Sequence, residues 1–263
     1  MYIRVLMENT ASGASLLCEH GLSLYIVAGG KRILFDAGQS EAFADNAARM
    51  GVDLSAVDLC ILSHGHYDHS GGLMKFLEIN DHAPVYMHRR APEAHLNSAL
   101  KDIGIDPVLA THPRVILTDD EYALSPSLRL TACAGCRADY PDSAQGMHVK
   151  TGSGILPDTF AHEQYLIIEE NGRRIVVSGC SHRGVLNIVS WLKPDVLIGG
   201  FHFMKLDPAG GDRAFLEGAA DTLLARPGVY YTGHCTGEAP FAFLKARMGE
   251  RLHALRAGYA YIL

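Results

Sequence analysis

The sequence predicts an α/β fold whose polar site is assembled from strand ends. Three observations carry that expectation. Strand-like and helix-like patterns alternate along most of the chain. Histidine, cysteine and aspartate recur directly after the strand-like runs with glycine beside them, as when a site is built along one edge of two sheets. With 263 residues and 48 % apolar content, the chain has material for a large core, and a single domain over residues 1–263 is expected.

The chain opens with strand-like runs at Tyr2 to Met7 and Leu22 to Val27. A Gly29-Gly30 turn then leads into Arg32-Ile33-Leu34-Phe35, which ends at Asp36-Ala37-Gly38. Asp36 reads as a solvated turn residue or, beside a histidine-rich site, as the carboxylate that takes the proton of a ligand imidazole and orients it. Ser40 caps a helix running to about Met50, which Gly51 ends. The strand Val57 to Leu62 follows, and Gly71-Gly72 turns the chain into a helix beginning at Leu73.

Val85 to His88 reads as a strand and Ala91 to Ile103 as a helix with Pro92 in its first turn. Strands are expected at Val115 to Thr118 and Leu128 to Thr131. Periodicity then disappears from Cys133 to His162, a stretch rich in Gly, Asp, Ser, Pro and Thr that reads as a long functional loop. Tyr165 to Ile168 and Ile175 to Ser178 flank Asn171-Gly172, a hairpin signal because Asn-Gly supplies positive φ. Helices Val185 to Leu192, Asp212 to Leu224 and Ala239 to Arg247 alternate with strands at Val196 and Val229, and a strand ends at Leu263.

The chemistry concentrates in Ser63-His64-Gly65-His66-Tyr67-Asp68-His69-Ser70-Gly71-Gly72. Three imidazoles and a carboxylate within six residues, directly after a strand, are what a Zn²⁺, Fe or Mn site requires. Gly179-Cys180-Ser181-His182, Gly199-Gly200-Phe201-His202 and Gly233-His234-Cys235 follow three further strands. His82, His88, His95 and His112 lack ligand spacing and read as structural or surface residues, whereas His148 and His162 could face a substrate. Cys133-Ala134-Gly135-Cys136 is half a zinc ribbon without a second pair, which disfavours metal and redox roles.

Charge and composition exclude several partners. A net charge of −6 and basic runs no longer than two residues leave no footprint for nucleic acid. No apolar run approaches the roughly 20 residues of a membrane span, and the N-terminus lacks a signal-peptide pattern. Six scattered cysteines fit reduced thiols and a cytoplasmic location. The expected partner is a small-molecule substrate.

Taken together, His64-Gly65-His66-Tyr67-Asp68-His69 and the three later motifs resemble the metallo-β-lactamase superfamily, with the later motifs similar to its branch labelled 7,8-dihydropterin-6-methyl-4-(β-D-ribofuranosyl)-aminobenzene-5′-phosphate synthase-like. The resemblance spans Phe35 to His234 and implies a four-layer αβ/βα sandwich with one or two metals at an edge. It implies His64 and His66 as ligands of a first metal and Asp68 and His69 of a second. Asp68 would also orient or deprotonate the attacking water. His234 matches the last histidine of the second site, and His202 would contact substrate or stabilise the transition state.

Cys180 stands where the superfamily commonly has aspartate, and reads either as a thiolate ligand or as a small buried hydrophobe. The first site is completed by His182, which the branch motif favours, or by His162. The cofactors implied are two divalent ions, zinc first, with iron or manganese as alternatives. The function implied is hydrolysis of a small ester, lactone or phosphoester by a metal-activated water. The alternatives are a synthase-type transfer that displaces pyrophosphate from a pterin, and a non-catalytic metal-binding or docking role. A flavodiiron-type oxidoreductase would need a carboxylate where His66 stands.

Overall fold

Two seven-stranded sheets lie face to face with helices on their outer surfaces in the computed structural model, which describes residues 1–143 and 146–263. The first half of the chain supplies β1 (Tyr2–Met7), β2 (Ser23–Ala28), β3 (Lys31–Phe35), α1 (Ala42–Arg49), β4 (Leu59–Ile61), α2 (Tyr67–Ser70), α3 (Leu73–Ile79), β5 (Val85–His88), β6 (Ala94–Leu96) and β7 (Val115–Thr118). The second supplies β8 (Glu121–Ser125), β9 (Leu128–Thr131), β10 (His148–Thr151), β11 (Gly154–Pro157), β12 (Tyr165–Glu170), β13 (Arg173–Val177), α4 (Val185–Leu192), β14 (Val196–Ile198), α5 (Arg213–Leu224), β15 (Val229–Thr232), α6 (Glu238–Met248), β16 (Leu252–Ala254) and β17 (Ala260–Ile262).

The sheets share one plan. In the first, β17, β1, β2 and β3 are antiparallel neighbours, and β3, β4, β5 and β7 continue in parallel. In the second, β8, β9, β12 and β13 are antiparallel, and β13, β14, β15 and β16 continue in parallel. Parallel neighbours need crossovers, and α1, α4 and α5 provide three of them. Every parallel strand therefore ends at the same edge of its sheet, and the loops after β3, β4, β13, β14 and β15 carry the polar motifs.

Side-chain alternation makes the layers. On β3, Ile33 and Phe35 face the second sheet and meet Leu130, Leu166 and Val177, whereas Leu34 faces outward. Phe43 and Ala47 of α1 and Phe76 of α3 cover Leu34, Cys60 and Leu62. Ile188 of α4, Leu216 and Leu223 of α5 and Leu244 of α6 cover Ile167, Val176 and Leu197. Three apolar interfaces thus bind four layers, each fully buried large side chain adding roughly 1.5–3 kcal/mol. The expected four-layer αβ/βα architecture is present. Among the described residues no helix is long and apolar enough to cross a membrane.

Two expectations need correction. The helix expected from Ala91 to Ile103 is a turn followed by β6, because Ala94–Leu96 pairs with β10, some fifty residues later. The stretch from Cys133 to His162, expected to lack periodic structure, contains the hairpin β10–β11, which joins β6 in a three-stranded sheet. The part of that stretch at residues 144–145 lies outside the described residues.

Candidate metal centre

The strand ends converge because several of them turn through left-handed residues. Asp36 after β3, Ser181 after β13, His202 after β14 and His234 after β15 all have φ between 49 and 58°. Such backbone costs a non-glycine residue roughly 1–2 kcal/mol and persists where tertiary contacts enforce it. Here it turns the chain abruptly at each strand end.

Between His64 and His66, Gly65 is wedged so tightly that a Cβ would run into the Ala91 carbonyl and come within 2.9 Å of the His95 ring. Its N–H donates to His162 Nδ1 at 2.9 Å. His162 Nε2 lies 3.3 Å from Asp158 Oδ2, and His95 Nδ1 lies 2.7 Å from the same oxygen. His95, which lacked ligand spacing in the sequence, thus meets His162 at the Asp158 carboxylate behind the His64-Gly65-His66 loop, and ring nitrogens of His66, His95 and His162 lie within 4.8 Å of one another. The charge and hydrogen bonds of the two imidazoles outweigh the burial that opposes ionisation, and hold Asp158 far below the usual carboxylate range.

Two further groups face each other inside this frame. Ring nitrogens of His64, His66 and His182 all lie within 4.8 Å of one another, as do ligand atoms of Asp68, His69, Cys180 and His234. The groups abut, with the His64 and His69 ring centres 4.3 Å apart. All seven side chains are buried.

Hydrogen bonding fixes the tautomers. The Ser63 hydroxyl donates to Asp36 Oδ2 at 2.7 Å, so it accepts from His64 Nδ1, 2.8 Å away, and leaves His64 Nε2 bare. His234 Nδ1 donates to Asn9 Oδ1 at 2.8 Å, which leaves its Nε2 bare as well, 3.2 Å from Asp68 Oδ2. His69 Nδ1 donates to Asp36 Oδ2 at 2.6 Å, and its Nε2 stands 3.1 Å from Cys180 Sγ. Asp36 therefore makes the imidazole contact expected of a ligand-orienting carboxylate.

Electrostatics match. Burial, then the neighbouring imidazoles, hold His64 and His182 well below the ordinary histidine range, and burial with His162 does the same for His66, so all three are neutral at pH 7. Burial opposes ionisation of Asp68, but the charge of His69 and the hydrogen bond from His20 outweigh it and keep the carboxylate ionised.

These residues suit divalent cations. His66 Nε2 and His234 Nε2 are buried without a hydrogen-bond partner, and the bare His64 Nε2 lies 3.1 Å from His182 Nε2. Lone pairs held together in a dry site repel unless a proton or a cation lies between them. Imidazole, thiol and carboxylate together form a zinc-type donor set.

Of the residues singled out in the sequence, His182 sits with His64 and His66, while His162 sits with His66 and His95, its Nδ1 accepting the Gly65 N–H and its Nε2 lying 3.3 Å from Asp158 Oδ2. His202 is half-buried beside His182, ring centres 4.4 Å apart, its Nδ1 donating to the Ser143 carbonyl at 2.9 Å. His148 lies on β10, outside these groups. Cys133 is buried and Cys136 exposed, and burial pushes the Cys133 thiol up to about 12.

Sequence reasoning missed His20, whose Nε2 is 3.3 Å from Asp68 Oδ2, and Asn9 behind His234. It also missed Glu163, whose carboxylate accepts the backbone N–H groups of His182 and Arg183, and Glu8, which accepts that of His234. Glu8-Asn9 directly follows β1, the same strand-end signal that marked Asp36.

Residues 17–234 match the model of the metallo-beta-lactamase superfamily. The chain belongs to this superfamily. A relative from Methanocaldococcus jannaschii named 7,8-dihydropterin-6-methyl-4-(beta-D-ribofuranosyl)-aminobenzene-5′-phosphate synthase is 29 % identical, over 90 % of this chain and 88 % of its own. An uncharacterized protein of the same organism is 28 % identical, over 89 % and 90 %. Among solved structures, Tm1679, described as a metal-dependent hydrolase of the beta-lactamase superfamily, has a TM-score of 0.84 at 24 % identity, with 100 % of this chain and 99 % of that one covered. The superfamily fold therefore extends over the whole chain.

Proposed function

We propose that this superfamily member is a metal-dependent hydrolase acting on a small ester, lactone or phosphoester. The observation that carries this reading is the abutment of two ligand groups, His64–His66–His182 and Asp68–His69–Cys180–His234, around bare and buried nitrogens. In this reading His182, whose Nε2 faces His64, completes the first group, and His162 acts from behind it. Two divalent cations, zinc first, would supply positive charge that acidifies a water molecule and polarises the attacked oxygen.

The chain's own residues then have defined tasks. Asp68, ionised and at the edge of the second group, orients the water and accepts its proton at a carboxylate oxygen. His202, held neutral chiefly by burial and with Nδ1–H fixed on Ser143, keeps Nε2 as an acceptor toward substrate. Asp36, Ser63, Asn9 and Glu163 fix the rings and backbone around them, so little reorganisation remains for the reaction.

The test is zinc-loaded protein against a panel of 4-nitrophenyl esters, lactones and bis(4-nitrophenyl) phosphate. Turnover on one class that falls at least ~100-fold in Asp68→Asn supports the reading. Absence of turnover on every class contradicts it.

The relative from Methanocaldococcus jannaschii favours a second reading, transfer of a pterin with loss of pyrophosphate to an aromatic amine. The same ligand groups would polarise the leaving group. Incubation with a pterin pyrophosphate separates the two readings: an amine-dependent condensation product supports transfer, and amine-independent loss of pyrophosphate supports hydrolysis.

A further inference from the structure

Beside His234, which forms part of its wall, lies a cavity of about 660 Å³ between α6, the end of β16 and the segment after β1. Its volume is that of a small-molecule site, and its walls are mainly apolar, from Phe241, Ala242, Leu255 and Met204. Asn9 is its link to the metal centre: it lines the cavity while its Oδ1 holds His234 Nδ1.

The charged groups around the cavity differ in their availability. Glu8 is fully engaged, since it accepts the His234 N–H and, at 2.6 Å each, the N–H and hydroxyl of Thr10. Lys245 Nζ donates to the carbonyls of Gly249 and Leu252 at 2.9 Å. Arg256 makes no side-chain hydrogen bond among the described residues; its ion-pair partner is Glu238, also in the cavity wall, at 3.6 Å and 76 % exposed, a loose solvent-facing pair that leaves the guanidinium N–H groups free to donate. A guanidinium with no hydrogen-bonded partner beside an apolar cavity can take an oxyanion, and its planar fork suits carboxylate, sulfonate and phosphate alike.

We propose that this cavity binds an organic anion, its apolar body against Phe241 and Leu255 and its anionic head on Arg256, as the non-reacting end of the substrate. Calling the ligand a substrate rests on the hydrolase reading above; its binding does not.

The probe is 2-naphthalenesulfonate, which combines an aromatic body with a head that ligates metals poorly. It is titrated by fluorescence into the full zinc-loaded chain, beside 2-naphthalenemethanol and sodium sulfate. One probe should bind per chain. Loss of the head in the neutral analogue, or of the guanidinium in Arg256→Gln, should each weaken binding about tenfold or more. Sulfate alone should not compete at equal concentration, and Ala242→Trp should prevent binding by filling the cavity, with zinc content unchanged in both variants.

Wild-type affinity in Arg256→Gln overturns the proposal, and that variant alone decides should Ala242→Trp fail to fold, since the Arg256 side chain holds nothing in place by hydrogen bonds. Binding that ignores Arg256 but is lost in His64→Ala places the probe on the metals and also overturns it. Probe binding with the expected dependence but no turnover on any ester, lactone or phosphoester removes the hydrolase reading and leaves the cavity assignment standing.

Discussion

The Asp36 carboxylate lies 2.6 Å from Nδ1 of His69, and through the Ser63 hydroxyl it also fixes His64. One buried carboxyl group therefore orients an imidazole in each half of the candidate centre. It sits at the end of β3, where the antiparallel part of the first sheet gives way to the parallel part.

Asp36→Asn should weaken metal binding in both halves. An amide can still accept from the Ser63 N–H, but its NH₂ then faces the Ser63 hydroxyl or His69 Nδ1–H, donor against donor. Loss of such a ligand-orienting group typically costs 10–100-fold in metal affinity. Competition with a zinc chelator measures this, and wild-type affinity in the variant would count against the role of Asp36.

Cys180 offers a spectroscopic prediction. Burial first, then Cys235, raises its thiol well above the ordinary range, so without a cation it is protonated beside His69. A cation drawn into the Asp68–His69–Cys180–His234 group should displace that proton. Cobalt-substituted protein should then show a near-ultraviolet thiolate-to-metal band that Cys180→Ser abolishes. A band of unchanged intensity in Cys180→Ser would exclude this thiol as the ligand.

His162 predicts part of the acid limb of stability. Burial lowers its value from 6.5 to about 4, partly offset by Asp158. The folded value is depressed, so the unfolded chain binds the extra proton. This contribution is complete above pH 6.5 and is lost as pH falls toward 4, about 3 kcal/mol in all. His162→Gln should flatten the stability profile over that window in denaturant titrations; a limb as steep as the wild type's would contradict it.

Much of this was legible in the sequence because it is local. A strand followed by His64-Gly65-His66 places those rings by backbone alternation, and Asp36, Cys180, His182, His202 and His234 announce themselves at other strand ends. The hairpin at Asn171-Gly172 needs only its own turn, and Asn171 adopts φ 53° there. What was not legible depends on distant partners. Ala94–Leu96 is a strand because β10 pairs with it, although Pro92 and the apolar spacing suit a helix. His95 gains its role from Asp158, 63 residues away, and Glu8 from the backbone of His234, 226 residues away. His20 sits in an irregular segment, and nothing in its neighbours marks it.

In the proposed centre two metal ions bind side by side, one in each ligand group. Metal content per chain, measured by inductively coupled plasma mass spectrometry on wild type, His64→Ala and His69→Ala, tests it most directly. A value near two is expected in the wild type, falling to about one in His69→Ala and also reduced in His64→Ala. Wild-type metal content in both variants would contradict it.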